Sequence, residues 1–293
     1  MTKWKRVSYS ATLPDITDLC PYSPTSYIAA TGGGETSGGQ PMVFLAKTVS
    51  STEWKAVANT ISSLVEEATF DAAAEGIAFR AMDPSHVALV DLAWPNSAFE
   101  KYDCDKQYKF TVRVEDFVKL IKRAETKDAI EVAAAEEGML AIRIADGYRR
   151  EYKIHLIEST YSPTPLPKIP FKARFLVAEP TFEKILSDIS VVSDHLTIET
   201  PKSKVVFTGK SDAGAVTVTL DKSNQDLMEL EVQEESKATY SISYLLSIAK
   251  AAGSASDITL FEYSSKMPLK LEFKLSSTGG KIQFYLAPRI EER

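Results

Sequence analysis

Three cations stand close together in FVKLIKRA, residues 117–124: Lys119, Lys122 and Arg123. On a helix, Phe117, Leu120, Ile121 and Ala124 fall at i, i+3, i+4 and i+7 and form one apolar stripe. The cations then share the opposite face, and no acid interrupts them within the stretch. One kind of chemistry suits such a face, the loose and salt-dependent contact of cationic side chains with phosphates. An ordinary solvated helix face has the same composition. Catalysis asks for more and finds little. His86, His155 and His195 are scattered, with no second ligand at metal-binding spacing. No G-x-S-x-G occurs, and the glycines at 32–34 lack the Lys-Ser/Thr pair and the helix of a phosphate loop. The acid pairs Glu66-Glu67, Glu136-Glu137 and Glu234-Glu235 read as solvated turns or helix ends. Cys20 and Cys104 are too few for a disulfide framework or a four-ligand zinc site, and they suit a reducing compartment inside the cell. The expectation is a binding protein rather than an enzyme, with no metal and no cofactor.

The balance of 34 basic against 40 acidic residues, net charge -6, argues by itself against a nucleic-acid partner. Net charge does not report distribution, however, and an acidic protein can be basic in one place. With 44% apolar residues among 293 the chain can build one large or two ordinary cores. It has no apolar run of membrane-spanning length, and its N-terminus lacks the apolar core of a secretory signal.

The elements that must position these cations follow from periodicity. FTVRV, MLAIRI, YKIHLI, VTVTL, ITLFEY, LKLEF and IQFYL alternate as strands with one buried face. Amphipathic helical segments lie between them. The pattern repeats. VEDFVKLIKRAETKDAIEV (114–132) lies over ISYLLSIAKAAGSASDITL (242–260), 128 residues on (114 to 242), and Lys122 falls on Lys250. LAIRI (140–144) matches LKLEF (269–273), YKIHLI matches IQFYLA, and the helical stretch 50–68 matches 178–190. The joint, SPTPLPKIP (162–170), carries four prolines and reads as an extended connector.

Each half therefore supplies two helices. In the first, Ser50 and Glu53 make a capping box, and Trp54, Val57, Ala58, Ile61, Leu64 and Val65 form the buried stripe. In the third, Phe182, Ile185, Leu186 and Ile189 are buried. In the fourth, Leu245, Ile248, Ala249 and Ala252 are. The outer faces hold small or basic residues, among them Lys55, Lys184 and Lys250, as if lining one surface.

GIAFRAMDPSHVALVDL (76–92), YDCDKQYKFTV (102–112) and FYLAPRIEE (284–292) complete the reading. Through them residues 42–293 resemble the proliferating cell nuclear antigen family, the sliding clamps of DNA replication. The first stretch is similar to the family's S-M-D-x-S-H-V-x-L-V and the last to its Y-Y-L-A-P-K-I-E. The short connector, and an ending without a long acidic tail, look archaeal. The resemblance implies an α+β fold with two similar clamp domains, 42–158 and 171–293, joined by a connecting loop at 159–170. Helices would line the inside and antiparallel sheets the outside, and three subunits would close a ring around duplex DNA without reading its sequence. Phosphates would meet Lys55, Lys119, Lys122, Arg123, Lys184 and Lys250. Ser62, Ser187 and Ser243 stand where relatives usually carry more base, so the charge gathers on the second helix.

A partner-peptide pocket would form from Met82, His86, Val87, Leu89, Leu166, Ile169, Pro268, Tyr285, Ala287 and Pro288. It would take peptides of the form Q-x-x-ϕ-x-x-aromatic-aromatic from a polymerase, flap endonuclease or ligase, with a clamp loader as a further partner. Val87 and Leu89 suit core packing equally well. Tyr152, Ile154 and Leu156 of one subunit would meet Val216 and Val218 of the next, in a homotrimer or with paralogous subunits. The protein would act in the archaeal cytoplasm at the nucleoid, or in a eukaryotic nucleus, and not at a membrane. The alternative is a two-domain interaction module that does not encircle DNA. Residues 1–41 have no counterpart in the resemblance. They read as a flexible extension, with Met42 as the native start.

Overall fold

Short apolar alternations give the described residues many strands and four α-helices. The computed structural model describes residues 43–134, 138–159, 164–275 and 279–290. The extension 1–41, Met42, the pair Glu136-Glu137 and the start of the connector lie outside the described residues. The first series of elements is β1 (Phe44–Thr48), α1 (Thr52–Ser62), β2 (Glu67–Ala73), β3 (Gly76–Met82), β4 (Ala88–Pro95), β5 (Lys101–Asp103), β6 (Tyr108–Arg113), α2 (Val114–Ile121), β7 (Ala129–Ala134), β8 (Met139–Ala145) and β9 (Arg149–His155). The second is β10 (Ala173–Ala178), α3 (Glu179–Ser190), β11 (His195–Thr200), β12 (Lys204–Ser211), β13 (Gly214–Asp221), β14 (Leu227–Val232), β15 (Ser236–Ser241), α4 (Ile242–Ala252), β16 (Ile258–Tyr263), β17 (Leu269–Lys274) and β18 (Lys281–Leu286). The order strand, helix, five strands, helix, three strands occurs twice, as the repeat in sequence predicts.

Pairing repeats as well. One sheet runs β5-β1-β7-β8-β9 and another β13-β12-β11-β15. The third has nine strands, β14-β10-β16-β17-β18-β4-β3-β2-β6. It is built from the counterparts of the other two, joined where β18 pairs with β4. That seam is antiparallel, with Ile282 opposite Leu92, Phe284 opposite Val90 and Leu286 opposite Ala88. All six side chains are buried in the core. At the tight turn into β3, only glycine fits: Gly76 has φ +142°, and a Cβ there would lie 2.1 Å from the Trp94 carbonyl oxygen.

The helices are short, and α2, with eight residues, would not persist alone in water. Burial holds them. Trp54 of α1 meets Trp94 edge-on at 4.8 Å, and its repeat mate Phe182 of α3 meets Phe261 at 4.8 Å and 87°. The helices form a row, α2–α1–α4–α3, in which α1 packs on α2 and on α4, and α4 on α3. The buried stripes expected on α3 and α4 are present. Those expected on α1 and α2 are shorter. Helix α1 stops at Ser62, so Leu64 and Val65 pack from the turn beyond, and Glu67 already belongs to β2. Its cap is Ser51 rather than Ser50. The Ser51 hydroxyl leaves the helix to donate to the Glu125 carbonyl at 2.6 Å, while Ser50 bonds Glu53. Helix α2 ends at Ile121; Leu120 is only half-buried, and Val118 takes its place in the core.

One buried group strains this frame. Glu179, the residue of α3 equivalent to Ser51, is 5% exposed, and its Oε1 has no hydrogen-bond partner. It fits only because Gly253 stands opposite, where a Cβ would come within 2.2 Å of that oxygen. Burial, with Glu183 one turn on, pushes the carboxyl up to about 7. The helix N-terminus favours the carboxylate, but by only about 0.3–1 kcal/mol. A raised folded pKa contributes stability below the unfolded value near 4.3 that is lost as pH rises through about 7. Glu179→Gln should therefore stabilise the protein by about 2 kcal/mol at pH 8 and by little at pH 5. Thermal melts of both proteins at the two pH values check this; an equal shift at both would rule out the titration.

Candidate functional site

The cationic residues lie on the helix row. Lys119, Lys122, Arg123, Lys184 and Lys250 are exposed, and Lys55 is half-buried on α1. Lys122 caps α2, and Arg123 follows it in a turn instead of continuing the helix. The cations are not free of acid. Glu115, one turn before Lys119 and just outside the FVKLIKRA stretch, bonds Lys119 at 2.5 Å. A cleft of about 720 Å3 beside α2 holds Glu66, Glu67, Glu115 and Asp116 together with Lys119 and Lys122. The exposed Glu115–Lys119 pair is weak, so it reduces rather than cancels the charge of Lys119. Its spacing of four residues was readable in the sequence.

A second surface forms where the two series meet. Met82, Leu89 and Tyr285 lie in one cross-strand row, with Leu89 opposite both of the others. Leu89 is 3% exposed yet stands apart from the core of Ala88 and Val90, because strand neighbours point to opposite faces. Beyond β18, the Ala287 N–H donates to the Val87 carbonyl at 2.8 Å, which brings Pro268, Ala287 and Pro288 beside the 83–88 loop. Next along, the Arg289 N–H donates to Thr239, and its guanidinium lies 3.3 Å from His195 Nδ1. Leu166 and Ile169 of the connector are half-buried. The connector itself is held at Thr164, whose carbonyl accepts from Arg80 at 3.2 Å while Arg80 Nε pairs with Asp91 at 2.7 Å. An adjacent cleft of about 320 Å3 includes Arg80, Met82, His86 and Thr164.

The organiser of this surface is Asp83, which the sequence reading passed over. Its carboxylate is 5% exposed and accepts from the backbone N–H groups of Ser85 (3.1 Å), Val87 (2.7 Å) and Ala88 (2.6 Å). It also accepts from the Tyr244 hydroxyl of α4 at 2.8 Å. Burial pushes its pKa up, but the bonds from Ala88, Tyr244, Val87 and Ser85 outweigh burial and hold it below the usual range. The same bonds set the loop in which exposed His86 adopts φ 58°. An aspartate followed by Pro-Ser is a local turn signal, so Asp83 had one; the reach to Tyr244, 161 residues on, had none.

The third feature is two sheet edges. Tyr152, Ile154 and Leu156 at β9, and Val216 and Val218 on β13, are half-buried and lean on the core. Their repeat mates in β18 and β4 are fully covered by each other. Among the described residues nothing pairs with the outer edge of β9 or of β13. None of the described helices is long and apolar enough to cross a membrane, and the described residues hold no cluster of His, Cys, Asp and Glu suited to a metal.

Comparison with known proteins agrees with this geometry. The family model of the proliferating cell nuclear antigen N-terminal domain matches residues 43–157, and that of its C-terminal domain matches residues 166–289. A protein of Nitrosopumilus maritimus named DNA polymerase sliding clamp is 51% identical over 250 residues, which cover 85% of this chain and 100% of that protein. One of the same name from Thermococcus sibiricus is 33% identical, over 82% of this chain and 96% of that protein. The crystal structure of PCNA from Thermococcus kodakaraensis superposes with a TM-score of 0.80 at 25% identity, covering 84% of this chain and 100% of that one. With one model on each of its two repeating series, the chain belongs to the proliferating cell nuclear antigen family.

Proposed function

We propose that the protein is a sliding clamp subunit: three chains join head to tail, encircle duplex DNA and tether a polymerase to it. The observation that carries this reading is the pair of unfinished edges. Strands β18 and β4 join inside the chain, while their counterparts β9 and β13 have no strand on their outer edges among the described residues. A head-to-tail contact of this kind closes into a ring when the rotation per subunit suits it. The row of four helices would then continue from α3 of one chain to α2 of the next and line the hole. Such a protein performs no reaction. It raises the effective concentration of an enzyme at DNA.

In this reading Lys55, Lys119, Lys122, Arg123, Lys184 and Lys250 face phosphates through loose, water-mediated contacts that permit sliding. The surface organised by Asp83 takes partner peptides, whose apolar side chains would seat around Met82, Leu89, Tyr285 and the connector. Replacing Lys119, Lys122 and Arg123 together by alanine should lower polymerase stimulation several-fold at low salt, and by less as salt rises, while three chains remain associated. Lys122 and Arg123 should contribute more than Lys119, which Glu115 already engages. Primer-extension lengths at several salt concentrations, with the mass of the complex measured alongside, give the answer. Unchanged extension by an intact ring would refute the assignment of the channel.

A further inference from the structure

We infer that Arg150 of β9 and Asp128 are positioning residues for Arg123: they pin the turn beyond α2, so that the Arg123 guanidinium is held toward the phosphates of DNA. This rests on the sliding-clamp reading and adds what fixes its arginine. Arg123 is exposed and stands past the end of α2, where the helical ladder no longer sets the backbone. Its N–H bonds the Leu120 carbonyl at 3.0 Å, three residues back, and its own carbonyl is one of the orphan acceptors of a helix C-terminus. Arg150 supplies the donor, with Nη1 at 3.3 Å from that carbonyl. Nη2 of the same guanidinium lies 3.3 Å from Asp128 Oδ2 and 2.5 Å from Asp146 Oδ2. Asp128, 4% exposed, accepts from the Glu125 N–H at 2.7 Å through the same oxygen, and its own N–H returns to the Glu125 carbonyl at 3.1 Å. The Arg150 guanidinium also sits 5.3 Å from the centre of the Tyr148 ring.

The place of Arg150 on β9 explains this reach. It lies opposite buried Ile144 of β8, on the same face as Tyr152 and Ile154, which lean on the core. A cation on that face needs partners. The two aspartates suffice for its charge; the bond to the Arg123 carbonyl is the one that reaches the helix end. The second repeat shows what the pin serves. After α4 the same turn recurs: the Ser256 N–H returns to the Gly253 carbonyl at 3.0 Å, each residue 128 beyond its mate (125 to 253, 128 to 256). Lys250 stands where Lys122 does. At the place of Arg123, however, is Ala251, at that of Asp128 is Ser256, and Gly280, 130 beyond Arg150 (150 to 280), carries no side chain. Ser256 bonds locally, donating to the Ile258 carbonyl at 2.7 Å and accepting from the Lys274 N–H at 3.1 Å. A turn of this form thus closes without an aspartate or an arginine. The pin accompanies Arg123 and not the lysine beside it.

Primer extension with the full chain tests this on the parent, Arg123→Ala, Arg150→Ala and the two together. At low salt Arg150→Ala should lower polymerase stimulation about twofold to threefold, as Arg123→Ala does, and should add almost nothing once Arg123 is gone. The deficit of each single variant against the parent should shrink as salt rises, the sign of a lost phosphate contact. Arg150→Lys keeps a charge for Asp128 and Asp146 but lacks the fork that also reaches the carbonyl. It should melt close to the parent and still show the deficit, and it carries the test if Arg150→Ala does not fold. Full stimulation by folded Arg150→Lys, a deficit that adds in full to that of Arg123→Ala, or one indifferent to salt would overturn the positioning and leave the channel standing. Unchanged extension after loss of Lys119, Lys122 and Arg123 together would instead remove the channel reading, and the inference with it.

Discussion

Replacing Ile154 by glutamate should turn an assembly of about three chains into single chains at micromolar concentration. In the single chain Ile154 is only half-buried, so the fold loses little when a carboxylate stands there. In the proposed joint it would pack against β13 of the neighbour, in the place that fully buried Phe284 holds in the internal seam. An unpaired carboxylate at such a place costs roughly 2–4 kcal/mol, and it does so at every joint of a closed ring. Lys153→Glu, one residue away on the outward face, is the control and should leave assembly almost unchanged. Sedimentation equilibrium distinguishes the outcomes, and three associated chains carrying Ile154→Glu would show that β9 is not the joining edge.

The second large effect belongs to Asp83. Removing its carboxylate with Asp83→Ala leaves three backbone N–H groups and the Tyr244 hydroxyl without their acceptor. Bonds to a charged group are worth about 1.5–3 kcal/mol each, and partial rehydration of the loop recovers some of that, so the loss should be about 4 kcal/mol. Because the loop also sets Val87, whose carbonyl binds Ala287, peptide binding should fall even where the protein remains folded. Asp83→Asn keeps the shape and one acceptor oxygen, so it should cost less. The pH dependence has a definite sign. The folded pKa lies below the 3.8 of a free aspartate, so this stability is fully present above that value and is lost as pH falls through the folded pKa. Denaturant titrations at pH 7 and pH 3 check it. An Asp83→Ala protein as stable as the parent at pH 7 would remove Asp83 from its organising place.

Periodicity revealed most of the fold, because a strand with one buried face must alternate and a helix must carry its stripe. The repeat was legible for the same reason: two series that bury the same face keep the same apolar positions. Helix ends were not. The helical pattern ran through Leu64, Val65 and Ala124, since a turn packed on the core buries side chains as a helix does. The cations of α2 were found, but attention to one helical face hid Glu115 one turn earlier. Side chains such as Tyr285 and Val87 were named through family resemblance, whereas Asp83 and Arg80 escaped. Each also bonds a partner far along the chain, Tyr244 and Thr164, and no spacing rule encodes a bond between residues 83 and 244.

The internal seam between β4 and β18 has a mechanical consequence. A proposed ring of three contains six joints of nearly the same chemistry, alternating between two kinds. In one kind the strands belong to a single chain, so the covalent backbone keeps them at an effective concentration of roughly millimolar or more at any dilution. In the other, a parted neighbour diffuses away. Dilution or a prying force should therefore split the hoop at one of three places only. Each chain should move as one rigid arc of a third of the circumference, and DNA would enter through a gap bounded by β9 on one lip and β13 on the other.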